Sequence, residues 1–187
     1  MSHIGLLRHG EVSGGTRFRG RLDDPLTPRG WRQMRDALAD DGPWQAVVSS
    51  PLQRCAAFAR DWAEERDLPL VLDARLAEID FGAWEGHTVA EIHARQPEAL
   101  GRFWSDPVTH PPPGGESLTA FAERVHAAWE TIQADGRDTL VVTHGGVIRV
   151  LLCRLRGLEL SAVPGLEVGH GALIRVENGR LLEAASA

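Results

Sequence analysis

Lysine is absent from this 187-residue chain; all 20 basic residues are arginines. Schiff-base catalysis and a P-loop both need a lysine amine, so both are excluded. Cysteine is scarce. Cys55 and Cys153 are the only two, and both sit in apolar stretches that read as helices. They are expected to be buried free thiols of a reducing compartment rather than a disulfide framework. CxxC and HExxH spacings and paired aspartates at metal spacing are missing, so neither a metal nor a cofactor is expected. No apolar run approaches the roughly 18–20 residues of a membrane span. The opening MSHIGLLRHGE meets a charge at Arg8, too early for a secretory leader. A cytoplasmic protein without membrane contact is expected. Basic excess is missing as well: the net charge is −6, which argues against nonspecific nucleic-acid binding. An anionic substrate stays open if arginines converge locally. There is no internal repeat, low-complexity tract or linker. The length suits one domain over residues 1–187, since a domain takes roughly 100–200 residues.

Strand and helix patterns alternate along the chain. His3–Arg8 is a short apolar run and reads as a buried strand. A Gly/Arg-rich loop, Gly10–Pro25, follows. Thr27-Pro28 is a helix start, a hydroxyl cap followed by proline at the first helical position. Ala46–Ser50 is a second strand and runs through Pro51 into a helix with Leu52, Cys55, Ala56, Ala59, Trp62 and Ala63 on its apolar positions. Leu70–Leu72 is a third strand. Thr88 and Glu91 predict a capping box. Pro107–Ser117 is a proline-rich loop, and Ser117 caps an amphipathic helix with Leu118, Phe121, Ala122, Val125, Ala128, Trp129 and Ile132 on one stripe. Thr139–His144 is the clearest buried strand, with a helix behind it. The end, ALIRVENGRLLEA, predicts a hairpin turning at Asn178-Gly179. The expected fold is α/β and three-layered: a mostly parallel central sheet, helices on both faces, and an antiparallel edge.

Polar residues collect where three of these strands end: Arg8-His9-Gly10-Glu11, Ser49-Ser50-Pro51-Leu52-Gln53-Arg54 and Thr143-His144-Gly145-Gly146. Open α/β sheets bind ligands at the carboxyl ends of their strands. Two histidines and two arginines there would make an anion pocket, because guanidinium forks match phosphate oxygens bidentately. The glycines after each histidine let backbone N–H groups approach the same anion. A lone histidine at a strand end is more often structural; the joint pattern is what carries the reading. Glu78, Asp80 and Glu85 lie in one segment, and from spacing alone any of them is a candidate acid.

The motifs LLRHGE, DDPLTPRG, SSPLQR, LAEIDFGAWEG, PPGGES and VVTHGGVIR, in this order from Leu6 to Arg149, resemble the histidine phosphatase superfamily in its phosphoglycerate-mutase-like branch. The wording of LAEIDFGAWEG and PPGGES is most similar to α-ribazole phosphatases of cobalamin biosynthesis. The resemblance implies a phosphoglycerate-mutase-like fold and a phosphohistidine intermediate. It implies that His9 is the nucleophile, that Arg8, Arg54 and His144 hold the phosphoryl oxygens, and that Glu78 is the general acid and then the base. It also implies substrate contacts at Gly10 and Gly145, and at Arg19 and Gly20, which with Arg17 and Phe18 match the R-F-x-G loop of relatives. A phosphoryl group in flight needs fixed positive donors, which the arginines supply without a metal. The other nitrogen of His9 needs an acceptor to fix its tautomer, such as a backbone carbonyl near Gly10.

Mutases of the branch carry extra basic residues. Here those places read Gly86-His87-Thr88-Val89 and Phe103-Trp104-Ser105, and Gly146 stands where mutase-like members tend to have Asn. The expectation is therefore a phosphatase for a small phosphorylated metabolite, such as α-ribazole 5′-phosphate, acting as a monomer or homodimer. The alternatives are a broad-specificity phosphatase, a phosphoglycerate mutase, a phosphoprotein phosphatase, and a non-catalytic binder of phosphorylated ligands. Trp84, Phe103 and Trp104 are placed near the pocket mouth, and Trp31, Trp62 and Trp129 in the core. Glu11 is read as a supporting residue; Asp73, Glu91 and Glu116 as surface or capping residues. His170 is read as structural, and His87, His93, His110 and His126 as exposed.

Overall fold

The computed structural model describes residues 2–40 and 42–182. Strand β1 (His3–Arg8) buries its four central residues. Thr27 caps helix α1 (Pro28–Ala37) by accepting the Gly30 N–H, and Pro28 opens the helix where a missing N–H costs nothing. Strand β2 (Ala46–Ser49) leads through Ser50-Pro51-Leu52 into α2 (Gln53–Glu65), and β3 is Leu70–Leu72. The predicted capping box of Thr88 and Glu91 precedes α3 (Val89–Arg95). Helix α4 (Pro97–Ser105) follows at once and is not anticipated in the sequence; Pro97 stands in its first turn, where proline is tolerated.

Ser117 caps α5 (Leu118–Asp135) by accepting the Ala120 N–H. Strand β4 (Thr139–Thr143) is buried at every residue, and His144 is the N-cap of α6 (Gly145–Arg156). Strands β5 (Leu173–Glu177) and β6 (Arg180–Leu181) form the terminal hairpin. Asn178 and Gly179 have φ of 48° and 75°, the pair of positive values that a type I′ turn demands. The last residues of that predicted hairpin, Glu183 and Ala184, lie outside the described residues.

The strands make one sheet in the order β3-β2-β4-β1-β5-β6. Pairings among β1 to β4 are parallel, and β5 and β6 add the antiparallel edge. Side chains alternate across the pleat. Ile4, Leu6 and Val141 therefore pack with Phe121, Val125 and Trp129 of α5 and Val147, Ile148 and Leu151 of α6. Leu7, Val47, Leu140 and Val142 pack the other way, on Met34 of α1 and on Cys55, Phe58 and Trp62 of α2. Each fully buried aliphatic side chain contributes about 1.5–3 kcal/mol, so the two clusters hold the sheet between its helices. A third cluster of Phe18, Trp84, Ile92, Leu100 and Phe103 joins α3 and α4 to the loop after β1. No helix among the described residues is long and apolar enough to cross a membrane.

Candidate active site

Register brings the strand ends together. Arg8 lies opposite Thr143 and Ser49 opposite Val142, so the residues leaving β1, β4 and β2 emerge side by side. The His9 N–H donates to the Thr143 carbonyl at 2.9 Å. The rings of His9 and His144 stand 5.2 Å apart in an edge arrangement. Nδ1 of His9 is 2.8 Å from the Gly10 carbonyl oxygen. A carbonyl only accepts, so Nδ1 carries the proton and Nε2 keeps its lone pair. Burial pushes the His9 pKa well below the usual histidine range; the Gly10 carbonyl opposes this, and Arg54 and Arg8 reinforce it. Gly10 must be glycine here, because a Cβ would overlap the Gly30 backbone of α1.

Two cations face this ring without a carboxylate hydrogen-bonded to either. Arg8 donates through Nη1 to the Val168 carbonyl at 2.5 Å, and its buried Nε has no partner. Arg54 is fully buried; Nη1 donates to Leu22 O at 2.7 Å and Nη2 to Gly20 O at 2.8 Å. Burial lowers the pKa of both guanidiniums. An incoming anion would restore the favourable surroundings that burial removed.

His144 is fully buried, and both its ring nitrogens are engaged. Arg54 Nε donates to Nδ1 at 3.3 Å, so the ring proton sits on Nε2, 2.7 Å from Ser50 Oγ. In this arrangement the imidazole orients Arg54, rather than offering its own N–H to a phosphoryl oxygen. Cys55 packs on the same ring, 3.6 Å from Nε2, and burial pushes its thiol pKa up.

Glu78 is the carboxylate that reaches the cluster. Its Oε2 accepts the Gly146 N–H of α6 at 3.1 Å, and its Oε1 accepts the Ile79 N–H at 3.1 Å. The two rival acids have other partners. Asp80 accepts the Gly82 N–H. Glu85 accepts the N–H groups of Gly20, Arg21, Leu22 and Phe81. Beside Glu78 opens a cavity of about 180 Å³. Phe18, Phe81, Phe103, Trp104 and Phe121 contribute to its wall, and Glu78, Glu116 and Arg149 are its charged lining.

Residues 4–180 match the family model of the histidine phosphatase superfamily (branch 1). The chain belongs to that superfamily. A bifunctional protein of Mycobacterium tuberculosis is 39% identical over 176 residues, which cover 91% of this chain and 46% of that protein. The chain thus spans about half the length of the first curated relatives it matches. A glucosyl-3-phosphoglycerate phosphatase of Mycolicibacterium vanbaalenii is 34% identical over 176 residues, 86% of this chain and 77% of that one. Among solved structures, the α-ribazole phosphatase of Shigella flexneri superposes with a TM-score of 0.83 at 27% identity, covering 96% of this chain and 93% of that one.

In this member of the histidine phosphatase superfamily the structure gathers His9, Gly10, Arg8, Arg54, His144, Gly145 and Glu78 at the carboxyl ends of the central strands. Gly145 lies against Arg8 and Arg149. Arg19, expected to contact substrate, has its guanidinium engaged within its own loop. Its Nε pairs with Asp24 at 2.8 Å, and its Nη2 donates to the Ser13 and Gly15 carbonyls. Arg17 bonds the Gly14 carbonyl. Gly20 serves through its backbone, giving its N–H to Glu85 and its carbonyl to Arg54.

Of the three aromatic residues expected at the mouth, Phe103 and Trp104 line the cavity. Trp84 does not: it is fully buried between Phe18 and Phe103, with Nε1 donating to Gln96. Glu116 is not a surface residue but a half-buried partner of Arg124. Trp62 and Trp129 are core, whereas Trp31 is half-buried; His93 is exposed, while His87, His110 and His126 are half-buried.

His170, read as structural, stands beside the nucleophile candidate. Its ring lies 5.7 Å from that of His9, and burial, followed by Arg8, lowers its pKa to about 4. The Gly171 N–H bonds the His9 carbonyl, and Ala172 O accepts from Arg8 N. Only that loop-to-strand stitching places His170 here, and no sequence motif announced it.

Proposed function

We propose that this chain is a metal-independent phosphomonoesterase that works through a phosphohistidine on His9. The observation that carries the reading is one cluster: a buried neutral imidazole with a free Nε2, the fully buried Arg54 and half-buried Arg8 guanidiniums, and the Glu78 carboxyl bonded to Gly146 at the N-terminus of α6. In the first step His9 Nε2 attacks phosphorus and the P–O ester bond breaks. Glu78, in its acid form, gives its proton to the leaving oxygen. In the second step water attacks phosphorus, the N–P bond breaks, and the water proton goes to Glu78. Arg8 and Arg54 hold the equatorial oxygens, where charge is spread in the transition state.

The apolar cavity beside Glu78 favours a small ring-bearing leaving group. An anionic one, such as phosphoglycerate, would meet aromatic side chains and the carboxylates of Glu78 and Glu116, with Arg149 as counter-charge. This supports a phosphatase over a mutase. It also supports α-ribazole 5′-phosphate, the substrate class that the motif wording resembles, in cobalamin assembly. The exposed Trp104 at the mouth is the feature that favours the second reading, broad specificity. The test is hydrolysis in EDTA of α-ribazole 5′-phosphate, an aryl phosphate and 3-phosphoglycerate. A kcat/KM for the ribazole ester of at least about 10⁴ M⁻¹s⁻¹, well above the others, supports the assignment. Uniformly weak turnover removes it and leaves the broad-specificity reading. Binding without phosphorylation of His9 overturns the enzyme reading altogether.

A further inference from the structure

Glu78 lies outside every regular element, two residues beyond the 3-10 turn Ala74–Leu76. Its carboxyl is held at the tip by Gly146 and Ile79, but those bonds work only if the backbone beneath it stays in place. The carbonyls of this stretch belong to no sheet ladder and need donors from elsewhere. One side chain supplies most of them. Arg124, on α5, uses all five of its guanidinium N–H groups. Nη1 donates to the carbonyls of Arg75 and Ala77, each at 2.7 Å, and Nη2 donates to the carbonyl of Glu78 itself at 3.1 Å. Nε and Nη2 pair side-on with the Glu116 carboxylate at 2.7 and 2.8 Å.

Glu116 closes the grip on the far side of the acid. Its backbone N–H donates to the Asp80 carbonyl at 2.9 Å, and its Oε2 faces the Asp80 N–H at 3.4 Å. The guanidinium also lies over the Phe121 ring, 4.7 Å from its centroid, and Phe121 lines the cavity that Glu78 borders. The segment is thus held before, at and after residue 78 by one ion pair that touches neither His9 nor the two anion-binding arginines.

We propose that Arg124, with Glu116, is a positioning residue that sets the Glu78 carboxyl at the height of the leaving oxygen. The proposal rests on the reading of Glu78 as the proton donor. A lysine at 124 has three donors on one nitrogen and cannot span three carbonyls and a carboxylate. Arg124→Lys should therefore fold yet let Glu78 drift, and Arg124→Met should drift further.

The readout is the single-turnover rate of His9 phosphorylation, measured by rapid quench with an alkyl phosphate and with p-nitrophenyl phosphate. A poor leaving group needs the proton; nitrophenolate hardly does. Arg124→Lys should lose roughly 10- to 100-fold with the alkyl ester and under about threefold with the aryl ester, with little change in phosphate inhibition. Glu116→Gln, which keeps the shape but drops the charge, should lose less in the same pattern. Equal losses with both esters, or an alkyl rate within about twofold of the parent, would overturn the proposal. If the parent itself forms no phosphohistidine with either ester, the functional reading fails. If it does, and the variants show no leaving-group split, only the role of Arg124 fails.

Discussion

Gly146→Ala isolates the acid from the rest of the site. Gly146 is the second residue of α6, and its N–H holds Glu78 Oε2 at 3.1 Å. A Cβ there would overlap Glu78 Oε1, and would stand 3.1 Å from Glu78 Cδ and 3.3 Å from Phe121 Cζ. Carbon atoms prefer roughly 3.5–4.0 Å, so the carboxyl must retreat by about 1 Å. It sits at the end of a flexible side chain, so the retreat costs little stability. Alanine in place of glycine inside a helix gains up to about 1 kcal/mol, and the thermal midpoint should hold or rise. Catalysis should not hold. A displacement of that size costs on the order of 10²-fold in rate, or about 2.7 kcal/mol of transition-state stabilisation. The assay is kcat for an alkyl phosphate beside an aryl phosphate, with inorganic phosphate inhibition as a control on the anion site. The alkyl rate should collapse, the aryl phosphorylation step should change little, and phosphate inhibition should stay. An alkyl rate within about threefold of the parent would show that the Glu78–Gly146 contact does not place the acid, and the reasoning would fail.

Three further outcomes are expected. His9→Ala should abolish turnover and leave the circular dichroism spectrum and melting cooperativity unchanged; residual turnover above a few per cent would remove His9 as nucleophile. Glu85→Ala should orphan the N–H groups of Gly20, Arg21, Leu22 and Phe81, costing about 1–3 kcal/mol in urea melts. It should also weaken phosphate inhibition, because Arg54 rests on the Gly20 and Leu22 carbonyls; unchanged inhibition counts against that linkage. Stability should fall between pH 7 and 5. Burial holds the folded pKa values of His9 and His144 well below the ordinary value, and that of His170 at about 4. The unfolded chain, with histidines near 6.5, binds more protons below that pH, so acid favours unfolding there before most carboxylates titrate. A melting temperature that is flat or rising from pH 7 to 5 would contradict this.

Local chemistry was readable in advance where it is complete within a few residues. The caps at Thr27, Thr88 and Ser117 each form because a side-chain oxygen meets an N–H three residues on. The Asn178-Gly179 turn is equally local. The readings that needed distant partners went astray. Trp84 is expected near the pocket mouth, but Ile92 of α3 and Leu100 and Phe103 of α4 pack over it. Glu116 reads as a surface or capping residue, and the segment that it and Arg124 grip lies 36 to 49 residues away.

The sequence by itself determined the strand–helix alternation, the capped starts of α1, α3 and α5, and which residues stand at the three strand ends. Hydrophobic period and capping chemistry act over a single turn or strand, so they survive in any tertiary context that buries them. It also carried the ordered motifs that mark the family. Only the tertiary structure decided which of three neighbouring acids reaches the cluster, that His170 flanks His9, and that His144 bonds Arg54 across 90 positions. Those facts depend on how parallel register and loop packing bring distant backbone together. Glu78 meets Gly146 across 68 positions, and the space that a missing Cβ leaves at Gly146 is visible only once both segments are in place.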